Sequence, residues 1–229
     1  MKRQVILDTE TTGLDPALGH RVIEIGCLEI INRRVTGATY HVYLNPDREI
    51  DAGAVAVHGI TSEFLADKPR FAEVVRDFIE FVRDAELVIH NAPFDVGFLN
   101  AELKRLDDGP LKHYCEVLDT LKLARELHPG QKNNLDALCK RYQVDNTGRN
   151  FHGALLDAQL LGEVYLAMTR GQETLGIEMN DTPQAGPEMM AIPVRRGKIK
   201  VIHAQTDELQ AHAQYLSGLQ KESGEVISW

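Results

Sequence analysis

Four acidic side chains and one histidine stand out: Asp8 and Glu10 in ILDTETTGL, Asp95 in HNAPFDVGFL, and His152 and Asp157 in FHGALLDAQLL. Carboxylates gathered at the end of a hydrophobic sheet repel one another unless cations lie between them, so the set points to a divalent-metal site and to phosphate chemistry. In an extended chain residues i and i+2 project to the same side, which lets Asp8 and Glu10 grip one cation if the strand continues through Thr9. Taken alone, an Asp-x-Glu pair is far more often a solvated strand end. His152 and Asp157 are five apart, about 140° on a continuous helix. They can face one site only if His152 precedes the helix, a break that Gly153 permits.

The elements that must carry these residues are readable from hydrophobic patterning. Residues 4 to 8 form an apolar run ending in Asp8, residues 21 to 32 a longer β-branched run, and Thr39 to Leu44 a third candidate strand, so the opening predicts an antiparallel meander. Phe71, Val74, Val75, Phe78, Ile79 and Val82 recur at helical spacing. A short buried strand, Leu87 to Ile89, runs into Asn91-Ala92-Pro93, where Asn can cap a helix and Pro fits its first turn. Asp95 is thereby expected in that first turn. Further helices are predicted at 119 to 127 and 134 to 142, and a last one at about 154 to 168 with Leu156, Leu160, Leu161, Val164 and Met168 on one stripe.

Beyond Met168 the character changes. Residues 171 to 193 carry Gly, Pro, Gln and Thr with little periodicity and read as a linker. Residues 194 to 229 begin with a basic strand or hairpin, VRRGKIKVIHA, followed by a short helix from Asp207 to Leu219. A tail of about 36 residues is smaller than chains that usually fold alone, so it is expected to be flexible and to order on a partner. Residues 1 to 170 are expected to form one α/β domain.

Composition sets the bounds on function. With 229 residues, 43% of them hydrophobic, the chain can bury one full core. Cys27, Cys115 and Cys139 form no C-x-x-C pair, which fits incidental thiols in a reducing cytoplasm. No apolar stretch approaches a membrane span, and the protein is expected to be soluble. A net charge of −9 is unfavourable for holding a polyanion through Lys and Arg alone, so a nucleic-acid substrate would need bound metals and a partner.

In that order and at those separations, ILDTETTG, HNAPFDVGFL and H-x-x-x-x-D resemble the three exonuclease motifs of the DEDDh family. The resemblance covers residues 4 to about 168 and implies a ribonuclease H-like fold, a mixed five-stranded sheet flanked by helices. Within the family it is strongest to the proofreading nucleases of bacterial replicative polymerases, because VYLAMTRGQ and the tail also match. It implies a 3′–5′ exodeoxyribonuclease that releases nucleoside 5′-monophosphates with two divalent ions, Mg²⁺ or Mn²⁺. Asp8, Glu10 and Asp157 would hold the first ion, Asp8 and Asp95 the second, and His152 would take the proton from the attacking water.

Other roles follow from the same resemblance. Val57 and His58 would wall the terminal nucleotide, Phe94 and Leu14 would pack on its base or sugar, and Thr9 and Asn91 would contact it. Core packing for Phe94 and Leu14, and capping for His58 and Asn91, are the competing readings. A frayed single-stranded 3′ end is the expected substrate, since a mismatch lowers the cost of unpairing. QETLGI is similar to a clamp-binding peptide, with Gln172, Leu175 and Ile177 as anchors on a sliding clamp. Residues 194 to 229 resemble the segment that docks on the polymerase (alpha) subunit, and a small third subunit is a further expected partner. The alternatives are a free-standing exoribonuclease and a mainly structural tether between clamp and polymerase.

Overall fold

The computed structural model describes residues 2–147 and 151–170, with a few helical positions between 205 and 213. The chain divides into two units, Met1–Gly176 and Ile177–Trp229. The clamp-binding peptide, the linker and most of the tail read from sequence lie outside the described residues.

The first unit is built on five strands. These are β1 (Arg3–Thr11), β2 (Val22–Ile31), β3 (Arg34–Tyr43), β4 (Glu86–Ile89) and β5 (Glu116–Asp119), in the order β3-β2-β1-β4-β5. β1–β2 and β2–β3 are antiparallel, whereas β1–β4 and β4–β5 are parallel. The meander predicted for the opening is present, but its third strand starts at Arg34 instead of Thr39 and ends before Leu44. A two-residue hairpin joins it to β2, with Asn32 and Arg33 at φ 50° and 63°, the geometry whose twist suits adjacent strands. Residues 34 to 39 are exposed on the sheet edge, so no apolar alternation marked them.

Among the described residues seven α-helices accompany the sheet: α1 (Ala52–His58), α2 (Ser62–Leu65), α3 (Phe71–Val82), α4 (Ala92–Arg105), α5 (Thr120–Leu127), α6 (Leu135–Tyr142) and α7 (Ala154–Met168). Among the described residues none is long and apolar enough to cross a membrane. Two cores sandwich the sheet. Val5 and Leu7 of β1 pack with Phe78 and Val82 of α3 and Phe98 and Leu99 of α4. On the opposite face Ile6 packs with Leu138 of α6 and Leu161 and Val164 of α7.

That alternation positions the chemistry. Continuing along β1, Asp8 and Glu10 fall on the α7 face and Thr9 on the α4 face. Helix α7 lies close to the sheet because Gly26 of β2 has no side chain: a Cβ there would sit 2.2 Å from the Leu155 backbone nitrogen. The register shifts between Glu10 and Thr11, a bulge that ends regular pairing just past the acidic pair.

Candidate active site

Three local structures converge. Asp8 and Glu10 come from the carboxyl-terminal half of β1. β4 is parallel to β1, so α4, which follows it, begins at the same end of the sheet and carries Asp95 in its first turn. α7 carries Asp157 in its first turn, where unpaired N–H groups favour a carboxylate. His152 precedes α7, as its spacing from Asp157 requires. The intervening Gly153 is extended at φ −149°, a conformation open to any residue, so glycine is not what permits the break.

All five residues line one cleft of about 260 Å³, shared with Thr9, His90, Phe94 and Asn134. Ligand atoms of Glu10, His152 and Asp157 lie within 4.8 Å of one another, a spacing that one cation can span. His152 Nδ1 is 3.3 Å from Asp157 Oδ2. His152 therefore stands inside the potential ligand group, while its ring, 44% exposed, can exchange protons with solvent. The His152 N–H donates to the Val57 carbonyl at 3.2 Å. The Phe151 ring covers Gly59, the left-handed residue at φ 71° that ends α1.

The Asp95 carboxyl is strongly perturbed. It is buried and accepts from Thr9 Oγ1 at 2.7 Å. Burial pushes its pKa up to about 7, against the opposing effect of the Thr9 hydroxyl. An acid held this far from water favours its neutral form unless a nearby cation balances its charge, and oxygen donors in this number suit Mg²⁺ or Mn²⁺.

A second cavity of about 480 Å³ adjoins the cleft and shares Thr9, Glu10 and Phe94 with it. Leu14, Val57 and His58 line it. Leu14 is 84% exposed, which removes core packing as an explanation for it, whereas Phe94 stacks on Phe98 at 5.0 Å and partly joins the core. His58 does act as a turn anchor, its Nδ1 accepting from the Ile60 N–H at 3.0 Å. Its Nε2 is nevertheless buried without a hydrogen-bond partner. Burial lowers the His58 pKa.

Asn91 departs from expectation. It sits at the start of α4 in the left-handed conformation, φ 66°, and its side chain makes no cap hydrogen bond. It lines neither the catalytic cleft nor the nucleotide-sized cavity, but a separate groove beside His90. His90, Asn134, Leu135 and Asp136 were missed from sequence; His90 reaches the cleft from the end of β4 and the others from the start of α6, and only Asn134, as a helix cap, had a local signal.

Comparison with known proteins agrees with this geometry. The family model described as Exonuclease (RNase_T) matches residues 5–165. The DNA polymerase III subunit epsilon of Salmonella typhimurium is 50% identical over 98% of this chain and 96% of that protein, and that of Escherichia coli K12 is 48% identical over the same shares. Among solved structures, Exonuclease X in complex with 5′ overhanging duplex DNA has a TM-score of 0.60 at 29% identity, covering 74% of this chain and 92% of that one. Exonuclease I of E. coli in complex with a dA16 oligonucleotide has a TM-score of 0.65 at 21% identity, covering 75% and 42%, and bears on the fold alone.

Proposed function

Since the chain belongs to the exonuclease (RNase T) family, we propose that it is the proofreading 3′–5′ exodeoxyribonuclease of a bacterial replicative polymerase, acting in the cytoplasm. The observation that carries this reading is the convergence of Asp8, Glu10, Asp95, His152 and Asp157 on one cleft beside an apolar, nucleotide-sized cavity. Near-full-length similarity to polymerase III epsilon subunits selects DNA and a polymerase partner over free-standing RNA trimming.

In this reading Asp8, Glu10, Asp95 and Asp157 hold two divalent cations. When bound, these would neutralise the scissile phosphodiester and acidify the attacking water. Asp157 orients the His152 ring and stabilises its charge as it takes the proton. Thr9 fixes Asp95 by its hydroxyl. The backbone of α1 fixes the segment before α7 through the Val57 carbonyl. Leu14, Val57, His58 and Phe94 enclose the terminal nucleotide in the adjoining cavity, which admits it only once unpaired.

Residues 172 to 177 serve as the clamp peptide, through Gln172, Leu175 and Ile177, and residues 194 to 229 as the segment that binds the polymerase subunit; both assignments rest on resemblance. Tethering of this kind raises the local concentration of a nuclease whose own charge disfavours DNA. The test is release of nucleoside 5′-monophosphate from mismatched and matched 3′ termini, with Asp8→Ala as control. Faster release from the mismatch, abolished by the substitution, is expected. Equal rates on both termini, or activity that survives Asp8→Ala, would refute the proposal.

A further inference from the structure

Adjoining the cleft, and sharing no lining residue with the nucleotide cavity, lies a groove of about 490 Å³ that the catalytic reading leaves unused. It shares His90 and Asn134 with the cleft, as the nucleotide cavity shares Thr9, Glu10 and Phe94. The three spaces therefore form a continuous series, with the carboxylates in the middle. Whatever strand delivers its terminal nucleotide to one end must leave the cleft elsewhere, and this groove is an adjoining opening among the described residues.

The groove has the chemistry of an anion path. It is lined by Asn91, Arg125, Gln131 and Asn133 beside His90. Arg125, exposed near the end of α5, makes no ion pair or hydrogen bond among the described residues. The Asp119 carboxylate accepts the backbone N–H groups of Asn91, Leu121 and Lys122. The amide of Asn91 is likewise uncommitted, because the left-handed backbone there carries it away from the capping position. Asn133, by contrast, is spent internally: it donates to the His128 and Gln131 carbonyls and accepts from Arg141, which holds the loop that presents Gln131. In a chain of net charge −9, an unpaired guanidinium beside an acidic cleft is where a phosphodiester would be met.

We propose that Arg125, with the side-chain amides of Asn91 and Gln131, binds the phosphodiester backbone of the single strand upstream of the scissile bond and so sets the direction in which DNA threads the site. This deepens the proposed exonuclease function and rests on it. Arg125 acts on binding and alignment, not on the reacting atoms. It also favours the helix end it occupies, so a purely structural role for it is the rival to be separated.

The experiment uses the full chain with Mn²⁺, comparing wild type, Arg125→Gln and Arg125→Lys. Substrates are a single-stranded dT12 and the p-nitrophenyl ester of thymidine 5′-monophosphate, which has no upstream strand. For Arg125→Gln the KM for dT12 is expected to rise about tenfold with kcat within about twofold. The preference for dT12 over the ester should shrink accordingly, and the slope of log KM against log salt should flatten by about 0.7, the single-strand value for one lost phosphate contact. Arg125→Lys should recover most of the KM. Equal losses on both substrates together with a lowered melting temperature would overturn the proposal in favour of a structural role. Wild-type kinetics in Arg125→Gln would also overturn it. A wild-type chain inactive on both substrates would instead overturn the exonuclease reading itself.

Discussion

Asp95 makes the stability of the metal-free protein depend on pH in a direction opposite to that of most carboxylates. Burial raises its pKa from 3.8 to about 7. The folded protein therefore binds a proton here that the unfolded chain releases near 3.8, and the corresponding stability is fully present below that value and lost as pH rises through about 7. The ceiling on the whole effect is about 4 kcal/mol, of which about 3 kcal/mol falls between roughly pH 5 and pH 8. For a domain of this size that corresponds to about 6–12 °C in melting temperature. His58 and His90, both with pKa values lowered by burial, titrate in the same window with the opposite sign. Comparison with Asp95→Asn removes their contribution, because it is common to both proteins. The measurement is urea unfolding in EDTA, followed by circular dichroism, at about pH 5 and about pH 8. The stability difference, wild type minus Asp95→Asn, should shrink by up to about 3 kcal/mol across that interval. Excess Mg²⁺ at the higher pH should stabilise wild type more than the variant by mass action. Parallel profiles for the two proteins would refute the claim that burial governs Asp95.

Gly26→Ala should cost about 3 kcal/mol of stability, the upper end of ordinary overpacking, and reduce kcat at least about tenfold, since the new methyl would meet Leu155 N at 2.2 Å and Ala154 C at 2.3 Å, backbone atoms that cannot rotate aside. Thermal melts and initial rates check both parts, and a stable, fully active variant would show that α7 need not sit so close. Phe151→Ala should separate stability from rate. The ring is 59% exposed, so its loss should cost no more than about 1 kcal/mol. Because it seats the segment bearing His152 on Gly59, kcat should fall about fivefold to tenfold with KM little altered, and Phe151→Leu should restore most of it.

How much of this was legible in sequence depended on where each signal resided. α3 was marked by an apolar stripe because it buries one face against the sheet, whereas α7 is apolar on nearly every side and was marked by its length and overall hydrophobicity. β1 was marked by its central position, with both faces covered. α1 and α2 are short, of seven and four residues, and bury little beyond His58 and Leu65, so periodicity had nothing to register. β5, four residues at the parallel edge, reads EVLD and exposes Val117. Asn91 shows the limit of residue-type rules: Asn before Ala-Pro suits a cap, yet the chain turns so sharply after β4 that the side chain is carried out of reach. His90 and Asn134 belong to the cleft only through tertiary packing.

The five chemical residues were legible for a reason that lies in the topology. β1 and β4 are parallel neighbours, so their carboxyl ends finish together, and residues just after either strand must meet at one edge. Sequence patterning ended the first strand at Asp8, three residues short of Thr11, because the acidic pair breaks the apolar run while the backbone pairing continues; it placed the end of β4 at Ile89, and that end located Asp95. α7 adds Asp157 from the other side because Gly26 lets its first turns touch the sheet. The favourable helix-end potential at Asp95 does not offset what burial costs it, since its pKa remains raised. The fold thus brings four carboxylates to one cleft, and Asp95, whose pKa burial raises, is the one that a nearby cation would return to its charged form.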